Sequence, residues 1–342
     1  MIKVLELFAG VGACSKALEN LNIPHEIVDA VEIDKYAIAS FNAIHGTNFA
    51  PQDITKWDKD IECDLIMHGS PCQDFSIAGK QAGGDANSGT RSSLMYETLR
   101  IVEKLKPKYV IWENVKNLLG SKHRHNFDAY IASMTKLGYN NYHQVLNAKD
   151  YGVPQNRERV FTVSIRNDGE FDSYFLFPER KKLDKRIKDV LETQVDEKYY
   201  LSDKTIAGYT AHTKRHKARG NGFRFEPIDG DAIAHTISTR AGQRPTDNYI
   251  KIIDDTFGFD KAPRIYDKVS PALRAARQGL KTADSFGCTR KLTPKECWRL
   301  MGFSDEDFSK AAKINSDTQL YKQAGNSIVV AVLEAILKEL LC

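Results

Sequence analysis

Short apolar runs separated by polar turns fill the first half of the chain. Val4 to Phe8 is the first run, and it gives way to Gly10-Val11-Gly12 and a helix-periodic stretch from Ser15 to Leu21. Glu26 to Val31 is the second run, ending at Glu32-Ile33-Asp34. Asp64 to Met67 ends in Gly69-Ser70-Pro71-Cys72, and Tyr109 to Trp112 ends in Glu113-Asn114. A helix period covers Leu94 to Leu105, and His143 to Leu146 and Val160 to Ile165 are two further strand-like runs. Strands alternating with helices predict an α/β fold with a doubly wound, mostly parallel sheet. Ligands of such sheets sit beyond the carboxyl ends of the strands. Gly10, Glu32, Cys72 and Glu113 all fall at those ends.

The pattern changes after residue 180. Lys181 to Lys188 is highly charged, and 205–285 mixes short β-like runs with basic and glycine-containing turns. This predicts a second, smaller, irregular β-rich domain. Ile328 to Leu341 is too apolar to stand alone and should pack back on the first domain. The expected divisions are therefore 1–180, 181–317 and 318–342.

Composition narrows the class. The chain has 342 residues, 42% apolar and 27% charged, as in ordinary folded proteins rather than disordered ones. No apolar run approaches the ~18 residues of a membrane-spanning helix. Lys3 and Glu6 interrupt the apolar start, which makes it a poor export signal and a better first strand. The six cysteines form no Cys-x-x-Cys pair, so no metal site is expected, and reduced thiols in a cytoplasm are. The net charge is only +4, but residues 171–290 hold 23 Lys and Arg against 17 Asp and Glu, while the rest holds 26 against 28. An excess confined to one segment suits either a polyanion partner or a solvated basic surface.

Four constellations carry candidate chemistry. Gly10 and Gly12 stand between a strand and a helix, and Glu32 lies 20 residues on, placed to accept ribose hydroxyls. A nicotinamide site wants a third glycine where Ser15 stands, and there is no phosphate-cradling Gly-Lys-Ser/Thr. A ligand with a ribose and no pyrophosphate fits better, and S-adenosylmethionine is one; an ordinary tight turn is the bland alternative. Cys72 follows a proline just past a strand, between polar flanks, and Ala78 to Ser92 reads as a lid rich in Gly and Ser. A thiolate there is a potential nucleophile. Glu113 is a candidate proton donor or a surface residue. Alternation puts Arg157 and Arg159 on one side, able to grip an anion or to edge a charged strand.

In this order and spacing, these elements resemble the DNA cytosine-5 methyltransferase family. Phe8-Ala9-Gly10-Val11-Gly12 is similar to its cofactor motif, and Pro71-Cys72-Gln73 with Phe75-Ser76 to its nucleophile motif. Glu113-Asn114-Val115 and Gln155-x-Arg157-x-Arg159 resemble two further catalytic motifs. Arg290 to Cys297 with Arg299 to Phe303, and Gln323 to Ile328, resemble its last two. Ala13, His68-Gly69-Ser70 and Ser92-Ser93 depart locally from the pattern, and 181–289 is unmatched, as its target-recognition region is variable.

The resemblance implies methyl transfer from S-adenosylmethionine to carbon 5 of a flipped-out cytosine. Cys72 would add to carbon 6, Glu113 would share a proton with the ring, and Arg157 and Arg159 would orient the base. The cofactor would lie against Phe8, Gly10, Gly12, Glu32, Ile33, Asp53, Ile54, Pro71, Leu94, Asn326 and Ser327. Gln73 and Ser76 would meet DNA. Lys214 and Arg215, in the densest basic cluster with Lys217 and Arg219, suit phosphates, while Arg240, Gln243 and Arg244 suit base edges or phosphates. Double-stranded DNA is the implied partner of a monomer. A separate restriction endonuclease accompanies such enzymes unless they are orphan or phage enzymes. The implied location is the cytoplasm of a prokaryote or a phage-infected host. An RNA cytosine methyltransferase, a nicotinamide dehydrogenase and a catalytically silent DNA-binding module are the rival readings.

Overall fold

A computed structural model describes residues 1–71, 94–169, 174–251, 253–254, 280–281 and 289–342. Strands β1 (Ile2–Leu7), β2 (His25–Val31), β3 (Leu65–His68) and β4 (Tyr109–Val115) lie parallel in the order β2-β1-β3-β4. The sheet continues through β7 (Glu158–Arg166) to the edge strand β5 (Tyr139–Asn147), and β7 runs antiparallel to both neighbours. The two-residue β6 (Gln155–Asn156) stands just before β7 and outside the sheet. The inner strands are apolar on both faces: all four residues of β3 are buried, as are five of seven in β4. Such strands need helices on each side.

Helix α1 (Ala13–Asn20) follows β1, α2 (Lys35–His45) follows β2, α3 (Met95–Leu105) precedes β4 and α4 (Arg124–Lys136) precedes β5. The sequence pattern did not reveal α2 or α4. Asp34 caps the start of α2 by accepting the Tyr36 amide, and Gly46 ends it in the left-handed region.

The second region is held by short pairings. β8 (Ala234–His235) lies parallel to β6, and β9 (Tyr249–Lys251) pairs antiparallel with Thr289–Lys291. Its longest element is the helix α5 (Asp203–Ala218), where short β-like runs were expected. Only Ile206 of its 16 residues is buried, so almost no apolar period marks it. Ser202 caps its start, and Arg215, His216 and Lys217 in the last turn suit the negative end of the helix dipole.

The chain returns to the first layer well before residue 318. Helices α6 (Pro294–Arg299), α7 (Asp305–Ala312) and α8 (Asp317–Asn326) pack together, and α7 and α8 lie against α2. The expected division at 317 therefore falls inside a packed unit. Helix α9 (Val330–Leu341) lies against α1, with Val330, Leu333, Ile336 and Leu337 fully buried. Arg290 and Glu296 form a two-pronged ion pair at 2.7 and 2.8 Å, each at most 2% exposed, at the base of the second region.

Candidate active site

The turn from β1 to α1 holds three residues with positive φ: Phe8 (54°), Gly10 (57°) and Gly12 (82°). A side chain on Gly12 would stand 2.2 Å from His45 Nε2 and 2.8 Å from Phe41, so α2 closes on this position. A side chain on Gly10 would meet nothing within 4 Å. The open side of the turn therefore belongs to Gly10, where a ligand can meet bare backbone. Phe8 carries a conformation that bulky residues rarely adopt, as happens at functional sites.

A carboxylate that sequence reasoning passed over ties the turn shut. Glu6, buried in β1, accepts hydrogen bonds from the Ser15 amide (3.0 Å) and the Ser15 hydroxyl. Ser15 thus fills the place of a third glycine by binding inward. Glu6 appeared in the sequence only as a polar interruption of an apolar run. Burial raises its pKa.

Glu32 closes the other side. Its Oε2 accepts the Gly10 amide at 3.0 Å and its Oε1 accepts the Asp34 amide at 2.8 Å. A carboxylate has about four acceptor sites, so these bonds leave it some acceptor capacity. Desolvation raises the pKa of Glu32. Ile33, next in line, is 70% exposed, an apolar surface beside a polar grip. Asp53 uses Oδ1 to accept the Thr55 amide and hydroxyl. Ile54 is a core residue, packed in the cluster that holds Trp57 and Met95, and Leu94 borders the same cluster.

A cavity opens past the turn, lined by Phe8, Gly10, Gly69, Glu113, Asn326 and Ser327 among others. Glu6 also lines it, and no Lys or Arg does among the described residues. Glu113, in β4, is 8% exposed, and Arg159 Nε lies 3.0 Å from its Oε1. Burial raises the Glu113 pKa, and the charges of Arg159 and Arg157 oppose that only in part. The carboxyl therefore holds a proton more readily than an exposed glutamate does.

The floor under Pro71 is fixed by β4. Trp112 Nε1 donates to Ser70 Oγ (3.0 Å) and Asn114 Nδ2 donates to the Ser70 carbonyl (3.3 Å). His68 stacks on Trp112 and meets the Tyr130 hydroxyl at 2.9 Å. Burial takes His68 down to about 3, so it is neutral and fills the slot as a packed ring. Cys72, Gln73, Ser76 and the stretch Ala78 to Ser92 lie outside the described residues.

Arg157 and Arg159 were expected to act together on the base. Arg159 does reach Glu113, but Arg157 is 4% exposed and its terminal nitrogens donate to the carbonyls of Ile237, Gly325 and Ser327. These three carbonyls belong to the second region and to the turn after α8. In the second region Lys214 and Arg215 are exposed on the last turns of α5. Arg240, Gln243 and Arg244 are exposed on a turn built around Asp247, whose Oδ2 accepts the Gln243 (3.0 Å) and Arg244 (2.9 Å) amides.

Comparison with known proteins places this geometry. A family model described as C-5 cytosine-specific DNA methylase matches residues 2–342. The type II methyltransferase M2.ScrFI of Lactococcus lactis subsp. cremoris is 35% identical, with 99% of each chain covered. The orphan methyltransferase M.SPRI of Bacillus phage SPR is 30% identical over 99% of this chain and 97% of its own. Among solved structures, S. pombe Dnmt2 methyltransferase covers all of both chains with a TM-score of 0.70 at 20% identity, a likeness of fold.

Proposed function

The chain belongs to the C-5 cytosine-specific DNA methylase family, and from that premise we propose that it flips a target cytosine from double-stranded DNA and methylates it through a covalent bond to Cys72. The overall reaction is that of the family: a methyl group passes from S-adenosylmethionine to carbon 5 of cytosine in DNA.

The residues present fit that cofactor. Glu32 offers its remaining lone pairs to ribose hydroxyls, and Ile33 offers an apolar face beside them. The cavity carries Glu6 and Glu113 and no Lys or Arg among its described lining, which suits a sulfonium cation and not a pyrophosphate. Bound there, the cofactor supplies an electrophilic methyl group. Asn326 and Ser327 line the same cavity as Gly10.

The observation that carries the mechanism is Glu113, a buried carboxyl of raised pKa in the same cavity as the Gly10 turn. Carbon 5 of cytosine is a weak nucleophile. Addition of the Cys72 thiolate to carbon 6 pushes electrons toward carbon 5, and a proton shared between Glu113 and ring nitrogen 3 stabilises the adduct. Arg159 holds the Glu113 carboxyl from 3.0 Å and balances its charge when the proton moves. After carbon 5 is methylated, a base removes its proton, the carbon–sulfur bond breaks and the thiolate is restored. Flipping the base costs a few kcal/mol, offset by groove and phosphate contacts. Lys214 and Arg215 supply phosphate contacts in this reading, and the turn carrying Arg240, Gln243 and Arg244 reads base edges. Gln73 and Ser76 approach the target from the Cys72 loop.

The relatives are bacterial and phage enzymes, type II or orphan. No helix among the described residues is long and apolar enough to cross a membrane. We place the protein, as a monomer, in the cytoplasm of a bacterium or an infected host, either beside a restriction endonuclease or as an orphan. Duplex DNA bearing 5-fluorocytosine tests the mechanism: wild-type protein should stay covalently attached, and Cys72→Ser should bind without attaching. Methylation by Cys72→Ala at the wild-type rate would sink it. Bisulfite sequencing of DNA from cells expressing the chain gives the target sequence.

A further inference from the structure

Residue Ile237 is gripped at both backbone groups by two side chains, Gln155 of β6 and Arg157 between β6 and β7. Its amide donates to Gln155 Oε1 at 3.0 Å, and its carbonyl accepts from Arg157 Nη1 at 3.2 Å. Gln155 Nε2 donates in turn to the Leu300 carbonyl at 2.8 Å, and Gln155 is fully buried. Arg157 Nη2 reaches the other way, to the carbonyls of Gly325 (3.2 Å) and Ser327 (2.9 Å). One buried guanidinium thus joins the root of the 237–247 turn to the 325–327 turn.

The two turns also touch directly. A side chain on Gly325 would stand 2.4 Å from the Thr239 amide nitrogen and 2.5 Å from the Ser238 carbonyl carbon. Both neighbours are backbone and cannot swing aside. From Ser238 the connection runs outward: Ser238 Oγ donates to Asp247 Oδ1 at 3.2 Å, and Asp247 holds the amides of Gln243 and Arg244. From Gly325 it runs inward, to Asn326 and Ser327 on the cavity wall.

We propose that Gln155 and Arg157 are positioning residues which, with the close contact at Gly325, couple DNA recognition on the 237–247 turn to cofactor binding at 326–327. This rests on the reading of those two turns given above. A ligand that fixes either turn fixes the groups Arg157 holds in the other, so each ligand tightens the binding of its counterpart by the same factor.

The test measures that factor. Binding of a fluorescent duplex containing the mapped target site is titrated with and without saturating S-adenosylhomocysteine. The wild-type ratio of the two Kd values should be about 5-fold or more, the low end of typical couplings. In Arg157→Met and Gly325→Ala the ratio should fall below about 2, with Arg157→Lys between, since a lysine reaches fewer carbonyls. Arg159→Lys should lower kcat and keep the wild-type ratio, which a general loosening of the fold would not allow. Should Arg157→Met melt below the assay temperature, Arg157→Lys and Gly325→Ala decide. A wild-type ratio of one, or a wild-type ratio retained in folded Gly325→Ala, overturns the proposal. Failure of the underlying reading shows separately, as unchanged site preference in Arg240→Ala and Arg244→Ala methylation maps.

Discussion

Gly10 and Gly12 are two residues apart, both have positive φ, and alanine should do opposite things at each. At Gly12 (φ +82°) the left-handed backbone costs about 1–2 kcal/mol for an alanine. The new methyl also collides with His45 at 2.2 Å and Phe41 at 2.8 Å. His45 can move only by giving up its contacts to Glu19 (2.7 Å) and the Val11 carbonyl (3.3 Å). Overpacking of this kind costs typically ~1–3 kcal/mol. Gly12→Ala should therefore lose about 2–5 kcal/mol, or some 4–10 °C of Tm at roughly 2 °C per kcal/mol for a chain of this size. At Gly10 (φ +57°) only the backbone cost of about 1–2 kcal/mol applies, since nothing lies within 4 Å. The Gly10 methyl instead points into the space a ligand would use. Gly10→Ala should melt within ~2–4 °C of wild type yet bind S-adenosylmethionine at least about tenfold more weakly, a loss of ~1.4 kcal/mol. Differential scanning calorimetry and isothermal titration calorimetry on both variants decide it. Equal melting points, or a Gly10→Ala protein with wild-type affinity, would refute the assignment of the open side.

Other perturbations follow from the same geometry. Glu113→Gln should cut kcat by about 10²–10⁴-fold while target DNA still binds, as read by steady-state kinetics beside gel shift. Because the Glu113 pKa is raised, its protonated form persists above the usual carboxylate range; kcat/KM should fall as pH climbs through that value, and a profile flat from acid to neutral pH would contradict its role as acid. Glu32→Ala should weaken cofactor binding by titration calorimetry, Asp53→Ala less so, since its Oδ1 is committed to Thr55; unchanged affinity in both would move the ribose elsewhere. Glu296→Ala leaves Arg290 buried without its partner and should cost about 3–5 kcal/mol in denaturant unfolding. Neutralising Lys214 and Arg215 should flatten the slope of log K against log salt by about 1.8 if each meets a phosphate, on target and non-target DNA alike.

Sequence alone revealed what depends on neighbours along the chain. The strands β1 to β4, the Gly10 turn and the carboxylates at strand ends follow from local period and turn chemistry, and the structure places them within a residue or three. Helix α5 escaped because it buries a single residue and so carries no period to read. The role of Glu6 was hidden for the opposite reason: a lone polar residue in an apolar strand has no pattern, and only its partner Ser15, across a turn, explains it. The packing of Arg157 was not legible, because alternation fixes which side a residue faces but not what arrives there. Its partners include backbone carbonyls from 80 to 170 positions away, and carbonyls leave no mark in a sequence.

The far end of the chain walls the pocket that the near end begins, and this has a bearing on synthesis. A ribosome makes the Gly10 turn 316 residues before it reaches Asn326. At ~5–20 residues per second the interval is roughly 15–65 s. During that time the nascent chain has Glu32 and Glu113 but lacks the wall of 326–327 and the helix α9 that seats on α1. A chain that stops before Asn326 lacks part of the cavity lining and should mark no DNA, which methylation assays on chains cut before that residue would check.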